Sequence, residues 1–346
     1  MCNGKYYDGS KLLSLKDVNG MTPEIYICTT NRSGGKTTYF GRLVVNRFLK
    51  KREKFGVLYR YSYELDNCAD KFFKDINNLF FPKLTMQSKK RSKGIYHELF
   101  LNDQPCGYAI SINSADQIKK NSHLFSDISC LIFDEFQSET NHYCPNEVKK
   151  FLSIHTSIAR GNFEQVRYVP VYMIANPVSI LNPYYVELGI TDRLKHDTKF
   201  LKGDGFVLEQ GYVETASNAQ KESAFNRAFK QSDYLLYSSE CVYLNDNLSF
   251  IEKPTGRNRY IVTLRYEGHD YAIREYDEYG IVYCDDRVDT HFPLRVALST
   301  NDHRINYVLL KRNDILFNNL RYLFEKGCFR FKDLRCKDVV MKALSY

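Results

Sequence analysis

The sequence has no apolar stretch approaching the roughly 20 residues that a helix needs to span a bilayer, so we expect no membrane-spanning segment. It also lacks the combination of low hydrophobicity and high charge that is typical of disordered chains. Ten cysteines are present, but none is spaced as C-x-x-C, and the residues after Met1 do not form a signal peptide. These absences favour a folded cytosolic protein with reduced thiols.

What the sequence does contain is enough apolar material for two packed domains. The chain has 346 residues, of which 43% are hydrophobic, and single domains commonly have about 100–200 residues. The formal net charge of +8 is a modest excess that many soluble proteins share. It permits a polyanionic partner such as nucleic acid but does not identify one.

Strands and helices alternate in the N-terminal half of the chain. Short β-prone runs at 24–28, 55–60 and 169–174 are separated by helical patterns. The run 130–133 is apolar throughout, as expected for a strand buried on both faces of a parallel sheet. We therefore predict an α/β domain with a mostly parallel sheet over residues 1–195.

The pattern changes after about residue 192. A polar helical stretch at 216–229 is followed by alternating apolar and polar residues between 259 and 284, which is typical of an antiparallel meander, and then by two helical patterns. We predict a helical linker over residues 196–230 and a smaller α+β domain over residues 231–346.

The segment from Thr30 to Thr37 lies between a predicted strand and a predicted helix, where a phosphate-binding loop belongs. The N–H groups and dipole of a helix N-terminus attract anions, and glycines let the backbone curl around a phosphate. Lys36 would contact the β- and γ-phosphates of ATP, and the Thr37 hydroxyl would bind Mg²⁺. The pattern G-x-x-x-x-G-K-[ST] is imperfect because Thr30 replaces its first glycine, and a glycine-rich turn beside an exposed lysine is the alternative. The remaining candidate nucleotide-binding residues of this loop are Asn31, Arg32, Ser33, Gly34 and Gly35.

Two carboxylates, Asp134 and Glu135, follow an apolar strand. Beside a phosphate-binding loop, the first carboxylate holds the Mg²⁺ shell and the second activates the attacking water. Alone, the pair could equally be a strand end followed by a solvated turn. Downstream of the loop at this distance, we predict that Asp134 binds Mg²⁺ and the nucleotide and that Glu135 is catalytic.

Three further polar residues are candidates for the same site. Asn176 ends a buried strand and could sense the γ-phosphate, although an ordinary Asn-Pro turn with Pro177 explains it equally well. Arg160 follows a predicted helix and is a candidate arginine finger; a solvated surface arginine is the alternative. Arg32 could also contact phosphate from within the loop.

Several stretches resemble the DNA-packaging ATPases, or encapsidation proteins, of small protein-primed podoviruses of the picovirus type. The matching stretches cover most of the N-terminal domain, with a weaker likeness at 327–331 in the second domain. They are Asn31-Arg32-Ser33-Gly34-Gly35-Lys36-Thr37, Leu58-Tyr59-Arg60-Tyr61, Ile132-Phe133-Asp134-Glu135-Phe136, Pro145-Asn146-Glu147-Val148, and Asn176-Pro177-Val178-Ser179 through Asn182-Pro183-Tyr184.

The resemblance implies an additional-strand (ASCE-type) P-loop ATPase domain, a short helical linker and a C-terminal domain related to the RNase H fold. It also implies an ATP-driven motor that moves double-stranded DNA into a preformed prohead, acting as a homomeric ring, usually a pentamer, at the portal. We then expect the protein in the host cytoplasm and transiently at the portal vertex; whether a structural RNA takes part is left open. The family's trans-acting arginine maps to Arg160, with Arg167 as a rival.

The predicted second domain lacks the first requirement of a two-metal nuclease. Such an enzyme needs an acidic residue on its first strand, and the candidate strand 259–265 has none. Asp285, Asp286 and Asp289 cluster after a later strand, where a solvated turn explains them. We predict no nuclease activity, and instead binding of phosphate backbone or a prohead component, for which a plain basic surface is an equal alternative. The arginines considered are Arg257, Arg259, Arg265 and Arg274.

Two other functions remain open at this stage. A replicative helicase or a loader-type P-loop ATPase would share the nucleotide site but would need a lid and a separate DNA-binding module. A non-catalytic nucleotide-binding protein would not need Glu135, so that residue argues against it.

Overall fold

The structure is a computed structural model that describes residues 6–140, 142–160, 165–191, 193–194, 198–229, 232–240, 243, 249–276, 280–310 and 314–344. The chain divides into two compact units, an N-terminal unit (Met1–Asn245) and a C-terminal unit (Asp246–Tyr346). No helix among the described residues combines the length and the apolar character needed to cross a bilayer.

The N-terminal unit alternates strands and helices. Its strands are β1 (Ile25–Thr29), β2 (Lys54–Tyr59), β3 (Met86–Arg91), β4 (Tyr96–Leu101), β5 (Gln104–Ser111), β6 (Ile128–Asp134), β7 (Val171–Ala175), β8 (Phe200–Lys202) and β9 (Phe206–Gln210). Its helices are α1 (Ser10–Ser14), α2 (Lys36–Lys51), α3 (Cys68–Phe80), α4 (Ala115–Lys120), α5 (Glu147–Ala159), α6 (Pro183–Glu187), α7 (Glu214–Glu222), α8 (Ala224–Ala228) and α9 (Asp233–Glu240).

These nine strands form one sheet in the order β3-β4-β5-β2-β6-β7-β1-β9-β8. The strands β5, β2, β6, β7, β1 and β9 are parallel, so their C-terminal ends share one edge, which we call the carboxyl edge. The strand β7 lies between β1, which precedes the predicted phosphate loop, and β6, which ends in Asp134. That intervening strand is the additional strand for which the ASCE class is named, and the predicted fold class is confirmed.

Apolar side chains cover both faces of the central strands. Because neighbouring residues of a strand point to opposite faces, Tyr26 and Cys28 join one core while Ile27 joins the other. The first core contains Phe40 and Val44 of α2, and the second contains residues of α4, α5 and α6. Burial on both faces explains why the central strands are mostly apolar.

The structure differs from the predicted domain bounds after residue 195. The strands β8 and β9 lie within the predicted helical linker, and β9 pairs with β1 in the sheet of the N-terminal unit. Helices α7 and α8 occupy the rest of the linker, and the structural division comes at Asn245 instead of residue 230. The residues at the predicted boundaries, 195–196 and 230–231, lie outside the described residues.

The C-terminal unit is a smaller α+β fold. Its strands are β10 (Arg259–Tyr266), β11 (His269–Tyr276), β12 (Ile281–Asp285), β13 (Arg295–Ala297), β14 (Val308–Leu309) and β15 (Phe329–Phe331), and its helices are α10 (Ile315–Glu325) and α11 (Leu334–Leu344). The sheet order is β14-β13-β10-β11-β12-β15. The strands β10, β11 and β12 form the predicted antiparallel meander, and β13 runs parallel to β10. A meander extended by parallel strands beside its first strand is the arrangement of the RNase H fold.

Candidate nucleotide site

The predicted phosphate loop connects β1 to α2 at the carboxyl edge. Ser33 and Gly35 adopt left-handed backbone angles, with φ of 60° and 87°. Gly35 is the N-cap of α2, and no side chain caps the helix there. A Cβ on Gly34 would lie 3.0 Å from Val213 and 3.1 Å from the Thr30 hydroxyl, so only glycine fits without rearrangement. The loop therefore presents the N–H groups of the α2 N-terminus, as an anion site requires.

Thr30, the departure from the common pattern, fits its position. It is fully buried, its hydroxyl donates to the Asn31 carbonyl at 3.0 Å, and its backbone φ is not left-handed. A glycine is therefore not required at this position. The predicted loop residue Asn31 turns its side chain to Val213 and exchanges two hydrogen bonds with that backbone, at 2.9 and 3.0 Å. The Asn31 side chain thus anchors the loop to the segment before α7.

The ends of three strands bring Lys36, Asn176 and Asp134 together. Lys36 is a buried residue, and its ammonium donates to Asn176 Oδ1 at 2.6 Å. This contact follows from the sheet order, because Asn176 comes directly after β7, between the loop and β6. Asn176 therefore occupies the position from which a side chain could contact a γ-phosphate held by Lys36.

Asp134 and Thr37, the two predicted Mg²⁺ ligands, lie beside each other. Burial raises the pKa of the Asp134 carboxyl, while Lys36, Thr37 and the Glu135 N–H oppose that rise. A hydroxyl and a carboxylate are the oxygen ligands that Mg²⁺ prefers. The donor set therefore fits one magnesium ion between these two residues.

Glu135 lies at the mouth of the site in a left-handed conformation, with φ of 56°. Burial, followed by the nearby carboxylates of Asp134 and Glu139, raises its pKa, and Arg32 opposes the rise. Its side chain lines a cleft of about 660 Å³ together with Arg32 and Asn176. A carboxylate with a raised pKa beside a phosphate loop is suited to accept a proton from water.

Arg60 holds the backbone that carries Glu135, a role that the sequence analysis did not assign. Its guanidinium donates to the Phe136 carbonyl at 2.9 Å and to the Glu135 carbonyl at 3.4 Å. It also donates to Glu147 at 2.8 Å in an ion pair whose side chains are 10% and 1% exposed. Glu147 further accepts a hydrogen bond from the Tyr184 hydroxyl at 2.9 Å. Four of the stretches that carried the family resemblance therefore meet at one buried cluster. Their shared presence in that resemblance was the only sequence signal for this cluster.

Arg60→Met should destabilise the protein by about 3–5 kcal/mol, because it leaves the Glu147 carboxylate buried without a cation. The double change Arg60→Met with Glu147→Leu should recover part of this loss, since an apolar pair of similar volume often replaces a buried ion pair well. Denaturant unfolding measures both. The control is Lys54→Met, which removes the partner of the exposed Asp127 carboxylate and should cost less than about 1 kcal/mol. Equal unfolding midpoints for Arg60→Met and the control would contradict this account.

Arg32, predicted to contact phosphate, is held by the segment after β6 and by α9. Its guanidinium pairs with Glu139 at 2.8 Å and contacts the Tyr234 hydroxyl. The backbone N–H of Arg32 donates to the Ser238 carbonyl at 2.9 Å. The Gln220 amide of α7 donates to the Arg32 carbonyl at 3.1 Å. The helices α7 and α9 therefore fasten the phosphate loop from outside, which the prediction of a linker did not foresee.

Arg160 and Arg167 lie at the edge of the sheet opposite the phosphate loop. The helix α5 begins beside Arg60 at the carboxyl edge and ends at Ala159, and the exposed Arg160 is its C-cap. Arg167 donates to the carbonyls of Ile158 and Ile128 at 2.7 and 3.3 Å, where β6 begins. Neither arginine is close to the site of its own chain, so either could act only on a neighbouring subunit.

In the C-terminal unit, three of the four predicted phosphate-binding arginines lie beside carboxylates; no such pair is seen for the exposed Arg257 among the described residues. Arg265 pairs with Asp270 at 2.9 Å, Arg274 pairs with Asp285 at 3.4 Å, and Arg259 pairs with Glu275. Lys332 pairs with Asp286. These pairs neutralise part of the basic surface, so the prediction that this unit binds phosphate gains no support from its geometry.

Comparisons with known proteins bear on the whole chain. The model of the family Podovirus DNA encapsidation protein (Gp16) matches residues 1–345. A DNA packaging protein of Bacillus phage phi29 is 25% identical over 304 residues, with 87% of each chain covered. A DNA packaging protein of Bacillus phage B103 is 25% identical over 321 residues, covering 91% of this chain and 93% of the relative.

A solved structure of the bacteriophage Phi-29 viral genome packaging motor assembly contains a chain of the same fold. The TM-score is 0.69 at 22% identity, with 99% of this chain and 98% of the other covered. The family match covers nearly the full length of the chain. The strand order and the residues gathered at the carboxyl edge are consistent with it. The chain belongs to the podovirus DNA encapsidation protein family.

Proposed function

We propose that this protein is an ATPase that drives double-stranded viral DNA into a prohead; its relatives are named DNA packaging and DNA encapsidation proteins. The observation that carries the proposal is the meeting of Lys36, Asn176 and Asp134 at one edge of the sheet, beside an uncapped helix N-terminus. A helicase or replication loader remains the alternative, although the family match disfavours it.

Within this proposal, the loop residues 31–35 and Lys36 bind the triphosphate of ATP through backbone N–H groups and one ammonium. Thr37 and Asp134 would hold Mg²⁺, which would neutralise part of the negative charge of the triphosphate. Glu135 orients the attacking water and takes its proton, and Asn176 contacts the γ-phosphate. Lys36 donates directly to Asn176 in the structure. A γ-phosphate placed between the two side chains would break this bond, so ATP binding would change the contacts at the end of β7.

The fastening of the loop by α7 and α9 provides a route by which the nucleotide state could reach the rest of the chain. Arg32 is bonded to Glu139, three residues after Phe136, and Tyr237 of α9 donates to the same carboxylate at 2.8 Å. If Arg32 turns to the phosphates when ATP binds, Glu139 loses its cation and α9 loses one of its contacts with the loop.

We further propose that the subunits form a ring, a pentamer by the family resemblance, at the portal vertex in the host cytoplasm. Arg160 of one subunit then completes the ATP site of the next. The position of Arg160 at the edge opposite its own loop supports this arrangement, because a ring joins opposite sides of adjacent subunits.

ATP hydrolysis measured with and without proheads and DNA tests the proposed function. We expect slow hydrolysis by the isolated chain and strong stimulation only when proheads and double-stranded DNA are both present. A packaging motor needs the portal complex, whereas a helicase or loader should respond to DNA alone. Full stimulation by DNA without proheads would therefore contradict the packaging assignment and favour the alternative.

A further inference from the structure

The last residues of β3 and the turn that follows them carry a concentration of positive charge that the nucleotide site does not use. We call the residues Lys89, Lys90, Arg91, Ser92 and Lys93 the basic turn; all five are exposed, four carry a positive charge, and none is acidic. The preceding residues of β3, Met86 to Ser88, are uncharged.

The sheet register places the basic turn at the carboxyl edge, where the ATP site lies. Arg91 pairs with Tyr96, Tyr96 with Ile110, Ile110 with Leu58, and Leu58 with Phe133, the residue before Asp134. One line across the sheet therefore connects the start of the turn to the end of β6. Four strand spacings separate β3 from β6, or roughly 19 Å.

Contacts of the turn also connect it to the border of the catalytic cleft. Lys90 pairs with Asp66 at 2.6 Å. Asp66 directly follows the short 3₁₀ turn Ser62–Leu65, of which Tyr63 and Glu64 line the cleft that also contains Glu135. The basic turn is thus one ion pair away from the segment beside the catalytic carboxylate.

Two of the four cations are left available for an external anion. Arg91 is bonded to Glu98 at 2.7 and 3.0 Å, and Lys90 is paired with Asp66. Within the described part of the chain, Lys89 and Lys93 have no carboxylate partner; the Lys89 ammonium lies 4.5 Å from the centre of the Phe100 ring. Both side chains can therefore reach into solvent.

Lysines on an edge strand also serve to prevent pairing with other chains, and β3 is an edge strand. That role explains single charges placed along a strand. It does not explain why the first half of β3 has no charge while its second half has three and the following turn a fourth, because an unprotected first half would remain open to pairing.

We propose that the basic turn binds the phosphate backbone of the DNA duplex that the motor moves; this inference rests on the proposed function. Cations contact duplex phosphates without regard to sequence, as a translocating motor requires. The turn carries no aromatic side chain on which an unpaired base could stack, so a paired duplex fits better than a single strand. Its position at the carboxyl edge would let the DNA contact move with the ATP site.

The test is the double variant Lys89→Gln with Lys93→Asn in the full-length chain. Asparagine is chosen at position 93 because its φ is 59°, a conformation that asparagine tolerates. The slope of log affinity against log salt is negative, and each lost phosphate contact should make it less steep by about 0.9. The slope of the double variant should therefore be less steep than that of wild type by roughly 1.8. At about 0.1 M salt, affinity for a random DNA duplex should fall roughly 10- to 60-fold.

The matched control is Lys50→Gln with Lys51→Gln. It removes the same charge from exposed positions in the last turn of α2, which runs away from the carboxyl edge. It should change DNA affinity less than about twofold, and both variants should keep wild-type ATP hydrolysis in the absence of DNA. Fluorescence anisotropy with labelled duplexes measures affinity, and prohead packaging assays measure DNA movement.

If wild type packages DNA and the Lys89/Lys93 variant binds duplexes no more weakly than the control, the basic turn is not the DNA contact. A loss confined to duplex RNA, with DNA affinity retained, would also overturn the proposal, because the occupant would then be RNA. If wild type neither binds nor moves DNA with proheads, the proposed function fails as well. The wild-type measurement alone therefore separates failure of the proposed function from failure of the basic-turn proposal.

Discussion

Glu135→Gln should bind ATP about as tightly as wild type and hydrolyse it about 10²–10⁴ times more slowly, the usual contribution of a general base. Glutamine keeps the shape and the hydrogen-bonding reach of the side chain, but its amide cannot accept a proton from the attacking water. The backbone contacts of Arg60 with the Glu135 and Phe136 carbonyls do not involve the replaced atoms, so the loop should keep its position. Single-turnover hydrolysis and equilibrium nucleotide binding, measured on the same preparation, separate the two effects.

The stability of Glu135→Gln provides its folding control. The pKa of Glu135 is raised in the folded protein, so its ionised form costs free energy relative to the unfolded chain at neutral pH. A neutral glutamine removes that cost. Without nucleotide, the variant should unfold at the same or a higher temperature than wild type.

Two further results bear on the assignment of Glu135. A raised pKa means that Glu135 is protonated at a higher pH than an ordinary glutamate. As the pH is lowered, wild-type hydrolysis should therefore begin to fall at a higher pH than that at which an ordinary glutamate titrates. Lys36→Ala should lose ATP binding itself, since its ammonium is proposed to supply the charge at the β- and γ-phosphates. Normal hydrolysis by Glu135→Gln would remove the catalytic assignment.

The geometry of the candidate nucleotide site could be predicted from the sequence because its parts are local and its topology is constrained. The segment from Thr30 to Thr37 needs only a strand before it and a helix after it, and both lie within a few residues. Parallel strands end at the same edge, so the residues that follow β6 and β7 had to come near the loop. The bond between Lys36 and Asn176 is the result of that rule.

The contacts that support the site could not be predicted in the same way. Arg60, Glu147 and Tyr184 are far apart in sequence, and nothing local indicates that they form one buried cluster. The strand β9 is short, and its place beside β1 depends on a long-range pairing that no periodicity shows. The strand β3, with its basic second half, lacks the apolar alternation by which half-buried strands are recognised.

Thr30 shows that the structural effect of a departure from a motif can be judged only from the folded structure. The sequence leaves open whether the missing glycine alters the first turn of the loop. In the structure, the left-handed conformations occur at Ser33 and Gly35, whereas Thr30 has an ordinary backbone and a buried side chain. The backbone of the loop therefore does not require a glycine at position 30.

Arg160 is predicted to act on the neighbouring subunit, and the environment of its rival strengthens that choice. A guanidinium that stabilises transition-state charge must be free to fork onto phosphate oxygens. Arg167 already donates to the carbonyls of Ile158 and Ile128, so moving it would leave those contacts unmade. Arg160 is exposed at the end of α5, where it could extend across a subunit boundary.

Arg160→Ala rings should therefore lose hydrolysis by about 10³–10⁵, or about 4–7 kcal/mol in the activation barrier, while each subunit still binds ATP. Rings mixed from Arg160→Ala and Lys36→Ala subunits should regain part of the rate. In such a ring, an Arg160→Ala subunit has an intact ATP site, and a Lys36→Ala neighbour supplies the missing arginine. Rings mixed from Arg167→Ala and Lys36→Ala subunits are the matched comparison. Arg167→Ala should lower stability through its lost carbonyl contacts, so mixing should give it no comparable rescue. If verified mixed rings show rescue only for Arg167→Ala, the trans role belongs to Arg167, and the intrachain contacts of Arg167 must open when the ring assembles.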